Sequence, residues 1–206
     1  MENSLPALVV SGITDQNVLA CLARSRTYGQ YQRGVNDALQ GKCPFCEIDP
    51  EYNVVDLETE FWCCWPCKPA EKGTRLHFLF APHRHVVSFH ELTNGEILDF
   101  LGEDGLRQRM WKRHGYTSCG ALMRDGDATL SAGTMRHLHW HDMVPDGTVR
   151  VESPFYKGAD EEIAGVRRAI VFERLRQSGV HAYEAARVAP GLLIDEELDL
   201  VADRLK

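Results

Sequence analysis

The sequence predicts an α+β protein, a compact antiparallel sheet with packed helices, carrying a helical N-terminal lead-in and a helical C-terminal extension. Three observations predict it. Short runs of strand-forming residues recur between Asn53 and Met143, separated by polar or glycine-containing turns. The capping-box pattern Thr93-Asn-Gly-Glu96 opens a helical stretch inside that region. The flanking segments Thr14 to Leu39 and Asp160 to Gln177 carry apolar residues at loosely helical spacing.

The elements follow in order. The lead-in ends at Gly41, and the pattern changes beyond Cys43. Asn53–Asp56, Glu60–Cys64 and Arg75–Ala81 read as successive strands, with the Pro/Lys/Gly-containing stretch Pro66 to Thr74 linking the last two. A helix is expected from Thr93 to about His114, where Gly115 stops it. Cys119–Arg124 and Thr134–Met143 read as further strands across the turn-rich stretch Asp125 to Gly133. After Pro145-Asp-Gly147 a short strand is expected around Val149, then a helix over Asp160–Gln177 closed by Gly179, and a last helix over Asp195–Leu205 beyond Pro190-Gly191. These patterns divide the chain into a lead-in (1–42), a sheet domain (43–157) and an extension (158–206).

With 206 residues, 44% hydrophobic and 26% charged, the chain has the composition of an ordinary globular protein. No apolar run approaches the roughly 18 residues that cross a bilayer, so no membrane partner is expected. The N-terminus, MENSLPALVVSGITDQ, lacks a basic n-region, and the expected location is the cytoplasm. A formal charge of −7 disfavours broad nucleic-acid binding, which needs dense Lys/Arg, but leaves room for a small phosphorylated ligand. The seven cysteines are odd in number and include two C-x2-C pairs, which favours metal binding over a disulfide framework.

His137, His139 and His141 alternate with Leu138 and Trp140. On a strand, residues two apart share a face, so the three rings should form one row about 13 Å long. That row is too long for one trihistidine metal site, whose nitrogens must lie within roughly 4 Å of each other. The rings are therefore expected to divide their work. Cys43-Pro-Phe-Cys46 has knuckle spacing that can place two thiolates on one tetrahedral ion. Cys64-Trp-Pro-Cys67 offers a second such pair, and a four-cysteine zinc ribbon is the competing arrangement.

The stretch Ala132-Gly-Thr-Met-Arg-His-Leu-His-Trp-His-Asp-Met-Val-Pro145, with Leu76-His-Phe-Leu-Phe-Ala-Pro-His-Arg-His85 before it, resembles the signature of the histidine-triad superfamily in its zinc-containing branch. The resemblance covers roughly residues 43 to 157. It implies a nucleotide hydrolase or nucleotidyl transferase acting at the α-phosphate of nucleoside or dinucleoside polyphosphates or phosphoramidates. His139 would be the nucleophile and His141 a hydrogen-bonding helper at the phosphate or leaving group. An imidazole suits the nucleophile because its ordinary pKa near 6.5 leaves a neutral nitrogen at physiological pH.

The resemblance further implies His77, Gly133 and Thr134 as phosphate or nucleotide contacts, and Cys43, Cys46, His85 and His137 as ligands of a structural zinc. A purine nucleotide and a second copy of the chain are the implied partners. Arg124-Asp-Gly-Asp127 resembles a polar segment that contacts nucleotide in some members, without singling out one residue. One departure stands out: Asp142 follows the third histidine where an apolar residue is usual, and either bonds a polar neighbour or faces solvent. The alternative to an enzyme is a zinc-stabilised nucleotide-binding module that turns over little and contacts another protein through its tail. Its motive is Val166–Leu175, which mixes apolar and charged positions at helical spacing.

Overall fold

The computed structural model describes residues 7–131, 133–153 and 158–179. In chain order the elements are α1 (Gln16–Ala23), α2 (Tyr28–Leu39), β1 (Leu57–Glu58), β2 (Trp62–Pro66), β3 (Thr74–Pro82), α3 (Asn94–Leu101), α4 (Leu106–His114), β4 (Gly120–Arg124), α5 (Ala128–Ser131), β5 (His139–Pro145) and α6 (Ala159–Gln177). They fall into two compact units, one from residues 7–42, 128–131, 133–135 and 158–179, the other from 43–127 and 136–153. The helix expected over Asp195–Leu205 lies outside the described residues.

In the first unit the lead-in forms two helices, each started by a side-chain cap. Asp15 accepts from the Asn17 N–H, and Thr27 from the Gln30 N–H. Leu22, Tyr31 and Val35 bury against Ala169, Phe172 and Leu175 of α6. The apolar stripe of Val166–Leu175 thus supplies core to its own unit. Arg24, 4% exposed, ties the pieces together: its Nε lies 3.2 Å from both Glu162 carboxylate oxygens, and its Nη2 donates to the Thr129 carbonyl at 2.9 Å.

The second unit is a five-stranded antiparallel sheet in the order β1-β2-β3-β5-β4 with α3 and α4 packed on it, the α+β arrangement expected. Strand alternation sorts its side chains. Trp62, Cys64, Phe78, Phe80 and Val144 join Phe100, Leu106 and Met110 of the helices in one apolar cluster. The register sets His139 opposite Arg124, and His141 between Leu79 and Leu122, on the other face.

Four sequence expectations change. No strand forms over Asn53–Val55, because the Tyr52 and Asn53 N–H groups donate to the Asp49 carbonyl in a turn and Asp56 is the first to pair with β2. Val149 lies in a bend rather than a strand: the Asp146 carboxylate accepts from the Thr148 N–H and hydroxyl and folds the chain back. The strand expected over Thr134–Met143 runs instead over His139–Pro145. The helix expected over Thr93–His114 is two helices, broken at Gly102 and Gly105. A Cβ at Gly102 would stand 2.3 Å from the Leu98 carbonyl oxygen, and one at Gly105 2.6 Å from that of Phe100. Only glycine lets the chain turn that tightly there.

The capping box forms as expected: Thr93 Oγ1 accepts from the Glu96 N–H, and Glu96 accepts from the Thr93 N–H. Glu96 is also bound by Arg84 through Nε and Nη2, both at 2.9 Å. Hydrogen bonding from Arg84, helped by Thr93 and opposed by burial, holds the carboxyl down at about 2 against its ordinary 4.5. A depressed carboxyl stabilises the fold above its unfolded value, and that contribution disappears as pH falls from about 4.5 towards 2. Glu96→Gln is expected to flatten the pH dependence of urea unfolding in that window. At neutral pH it should cost about 1–2 kcal/mol, limited by the solvent exposure of Arg84.

Candidate active site and metal cluster

β5 carries the two histidines at the centre of the site, and the first triad residue lies just outside it. His137 sits in a bend because the next residue, Leu138, donates its N–H to the Val86 carbonyl at 2.7 Å instead of continuing the sheet. The expected single strand row is therefore corrected: His139 and His141 lie on β5, and His137 lies in the bend before it, with the Phe45 ring against both His137 and His139. His139 and His141 stand with ring centroids 5.1 Å apart.

Backbone groups assign the ring nitrogens. His137 Nε2–H donates to the Pro82 carbonyl at 3.0 Å, so its Nδ1 lone pair points elsewhere, to Cys43 Sγ at 3.3 Å and Cys46 Sγ at 3.6 Å. His85 Nδ1 lies 3.4 Å from Cys46 Sγ. Donor atoms of Cys43, Cys46, His85 and His137 all lie within 4.8 Å of one another. Two sulfurs and two imidazole nitrogens so gathered suit a tetrahedral zinc ion, with the Pro82 carbonyl orienting one ligand from behind.

Cys64 and Cys67 do not join that cluster. Cys64 is wholly buried in the apolar cluster with Trp62 and Phe80, and burial pushes its thiol well above the ordinary range. Cys67 lies beside His77 and His141.

His139 is fixed the other way round. Its Nδ1–H donates to the His137 carbonyl at 2.6 Å, leaving Nε2 as the nitrogen with a lone pair. Burial, reinforced by the positive charge of Arg124, holds the ring down at about 4 against the upward pull of that carbonyl, so it is neutral at pH 7. His77 Nδ1 accepts from the Glu71 N–H at 3.0 Å, which puts the ring proton on Nε2. That proton is donated to His141 Nδ1 at 2.9 Å, and a neutral His141 then keeps its own proton on Nε2. The face so formed presents a neutral imidazole nitrogen with a lone pair on one ring and an N–H donor on the neighbouring ring.

Gly133 and Thr134 belong to the other unit, where the Gly133 carbonyl lies 3.4 Å from Arg24 Nη1. Several residues around the triad carried no distinct sequence signal. Phe45, between the two knuckle cysteines, sets its ring edge-on to His139 at 5.3 Å and to Trp65 at 5.1 Å. Arg124 is the strand partner of His139, and only the cross-strand register reveals it.

Asp142, the departure from the triad pattern, is fully buried on the helix side of β5. It accepts from Arg107 Nε on both oxygens at 3.0 Å, from Trp111 Nε1 at 3.0 Å, from Trp140 Nε1 at 2.9 Å and from Tyr116 Oη at 3.3 Å. Of the remaining histidines, His114 pairs with Asp56, and His83 Nε2 meets the Thr59 carbonyl at 3.2 Å.

No protein-family model matches the chain, and no curated protein matches it. Solved structures do, several of them histidine-triad proteins. A hypothetical protein from Leishmania major is 22% identical, with 60% of this chain and 89% of that one covered at a TM-score of 0.42. A histidine triad nucleotide-binding protein from Candida albicans is 16% identical over 66% of this chain and 99% of its own, at 0.41. A Zn-bound histidine triad family protein from Mycobacterium smegmatis is 21% identical over 66% and 96%, at 0.40. TM-scores this low leave the chemistry of the site to its own donors and distances. No helix among the described residues is long and apolar enough to cross a membrane.

Proposed function

We propose that the chain is a histidine-triad nucleotide hydrolase or nucleotidyl transferase that works through a nucleotidyl-histidine intermediate. The observation that carries the reading is the tautomer of His139: with Nδ1–H held by a backbone carbonyl, Nε2 is neutral and unprotonated, on a ring whose centroid is 5.1 Å from that of His141. His139 Nε2 attacks the α-phosphorus. The bond to the leaving group breaks with its electron pair, and His141 Nε2–H supplies the hydrogen bond, or the proton, that the departing atom needs. Water or another acceptor then attacks the same phosphorus, the P–N bond breaks, and its electron pair returns to Nε2. Arg124, opposite His139, adds positive charge where the phosphoryl oxygens gather negative charge.

Zinc on Cys43, Cys46, His85 and His137 has a structural part. It would hold the bend that precedes β5, and with it the His137 carbonyl that orients His139. Cys43→Ser is expected to lower bound zinc in the purified protein from about one equivalent to near none, while Cys64→Ser keeps it. Undiminished zinc in Cys43→Ser would remove this assignment. The binding-module alternative is the less favoured reading, because Ala169, Val171, Phe172 and Leu175 of α6 are buried in the first unit.

The test is a panel of nucleoside polyphosphates, dinucleoside polyphosphates and nucleoside phosphoramidates read by product mass. Release of a nucleoside monophosphate from at least one class, with oxygen-18 from labelled water entering the phosphate, supports hydrolysis. Transfer to added phosphate or sugar phosphate would place the chain among the transferases. Tight binding without any product would overturn the proposal.

A further inference from the structure

We propose that Cys67, His77 and His141 form a second zinc site, distinct from the Cys43–Cys46 cluster. The site does not depend on the function proposed above.

The fold gathers these donors from three strands or their ends. Cys67 directly follows β2, and its backbone N–H donates to the His77 carbonyl at 2.8 Å, which fixes it beside β3. His77 pairs with Met143 across β3 and β5, so His141, two residues from Met143, is its diagonal neighbour on the same face. Ligand atoms of all three lie within 4.8 Å of one another, and His77 Nε2 and His141 Nδ1 are 2.9 Å apart. Around a tetrahedral zinc with bonds of about 2.0–2.3 Å, donors stand roughly 3.3–3.6 Å apart. Small movements of the Cys67 side chain and of the two rings therefore suffice. His77 is buried while Cys67 and His141 are half-buried, which leaves a side for the ion to enter. Two imidazoles and a thiolate favour zinc over magnesium or calcium, which prefer oxygen. With three protein donors, water takes the fourth position.

The protons balance as follows. Cys67 gives up its thiol proton to solvent and binds through sulfur. His141 binds through Nδ1, the lone pair that otherwise accepts from His77. His77 binds through Nε2, whose proton is replaced by one on Nδ1. The Glu71 N–H that donates to Nδ1 must then turn away, so the backbone at Glu71 reports on occupancy. One proton is released for each ion bound.

The experiment starts from full-length protein already carrying one equivalent of zinc and titrates it with zinc, and in parallel with cobalt(II) as the coloured probe. A second equivalent is expected, weaker than the first because it has three protein ligands rather than four. It should bring release of about one proton, a new thiolate-to-cobalt absorption band and a shifted Glu71 amide resonance. Cys67→Ser and His77→Gln, each checked for folding by circular dichroism, should lose this event and keep the first equivalent. Failure of the wild type to take up a second equivalent, or an unchanged second equivalent in Cys67→Ser, would overturn the site.

Metal uptake is read without substrate, so a protein that binds the second ion but turns over no nucleotide contradicts the proposed function and leaves the site standing.

Discussion

His139→Ala is expected to reduce nucleoside monophosphate release by at least about a thousandfold, because it removes the only group proposed to bond to phosphorus. The neighbouring donors would survive the change. His141 still receives the His77 proton, and Arg124 still offers its charge, so substrate binding should weaken far less than turnover. His139 is buried against Phe45, so truncation also leaves a cavity. His139→Asn, closer in volume, separates the two effects: it should recover stability but not activity. Base-quenched wild-type reactions, kept out of acid and followed by intact mass, should show one added nucleoside monophosphate, and neither variant should. Substantial, equal turnover in wild type and both variants would reject the nucleophile.

Asp142→Ala is expected to destabilise the protein by about 3–5 kcal/mol, the largest stability effect predicted for a single side chain of β5. The carboxylate is completely buried and is met by Arg107, Trp111, Trp140 and Tyr116. Its removal strands the Arg107 guanidinium, which lies over the rings of Trp111 and Trp140 with its carbon 5.0 and 5.2 Å from their centroids. In thermal unfolding this corresponds to a drop of roughly 10 °C for a chain of this size. A double-mutant cycle identifies the cause: Asp142→Ala with Arg107→Met should cost clearly less than the sum of the single changes. Additive costs would mean that Asp142 acts by packing alone. Because Asp142 follows His141 directly, its network anchors to α4 the strand whose opposite face carries His139 and His141.

Much of the sheet unit was legible because its signals are local. The strand-forming run Arg75–Ala81 and the capping box at Thr93 depend on neighbours a few residues away, and both formed. Broken elements were harder to read. Gly102 and Gly105 lie within the span expected as one helix, and only the closeness of the Leu98 and Phe100 carbonyls makes them compulsory. Asp142 read as an ambiguous polar residue because its partners lie 26–35 positions away in the chain or on Trp140, two residues before it.

From its residues alone, then, the chain announces an antiparallel sheet with helices, a histidine repeat and a cysteine pair. Residue type and short-range spacing carry that much, since strand and helix periods repeat within a few positions. Which nitrogen of each histidine is available was decided only in three dimensions. The Pro82 carbonyl leaves His137 Nδ1 towards two sulfurs, the His137 carbonyl leaves His139 Nε2 unprotonated, and the Glu71 N–H sends the His77 proton to His141. A tautomer is set by the group facing the ring. In His77 and His137 that group comes from a turn or a neighbouring strand; in His139 it is the carbonyl that the bend before β5 turns towards its ring. The triad motif therefore places three imidazoles together, and the tertiary fold gives them separate work.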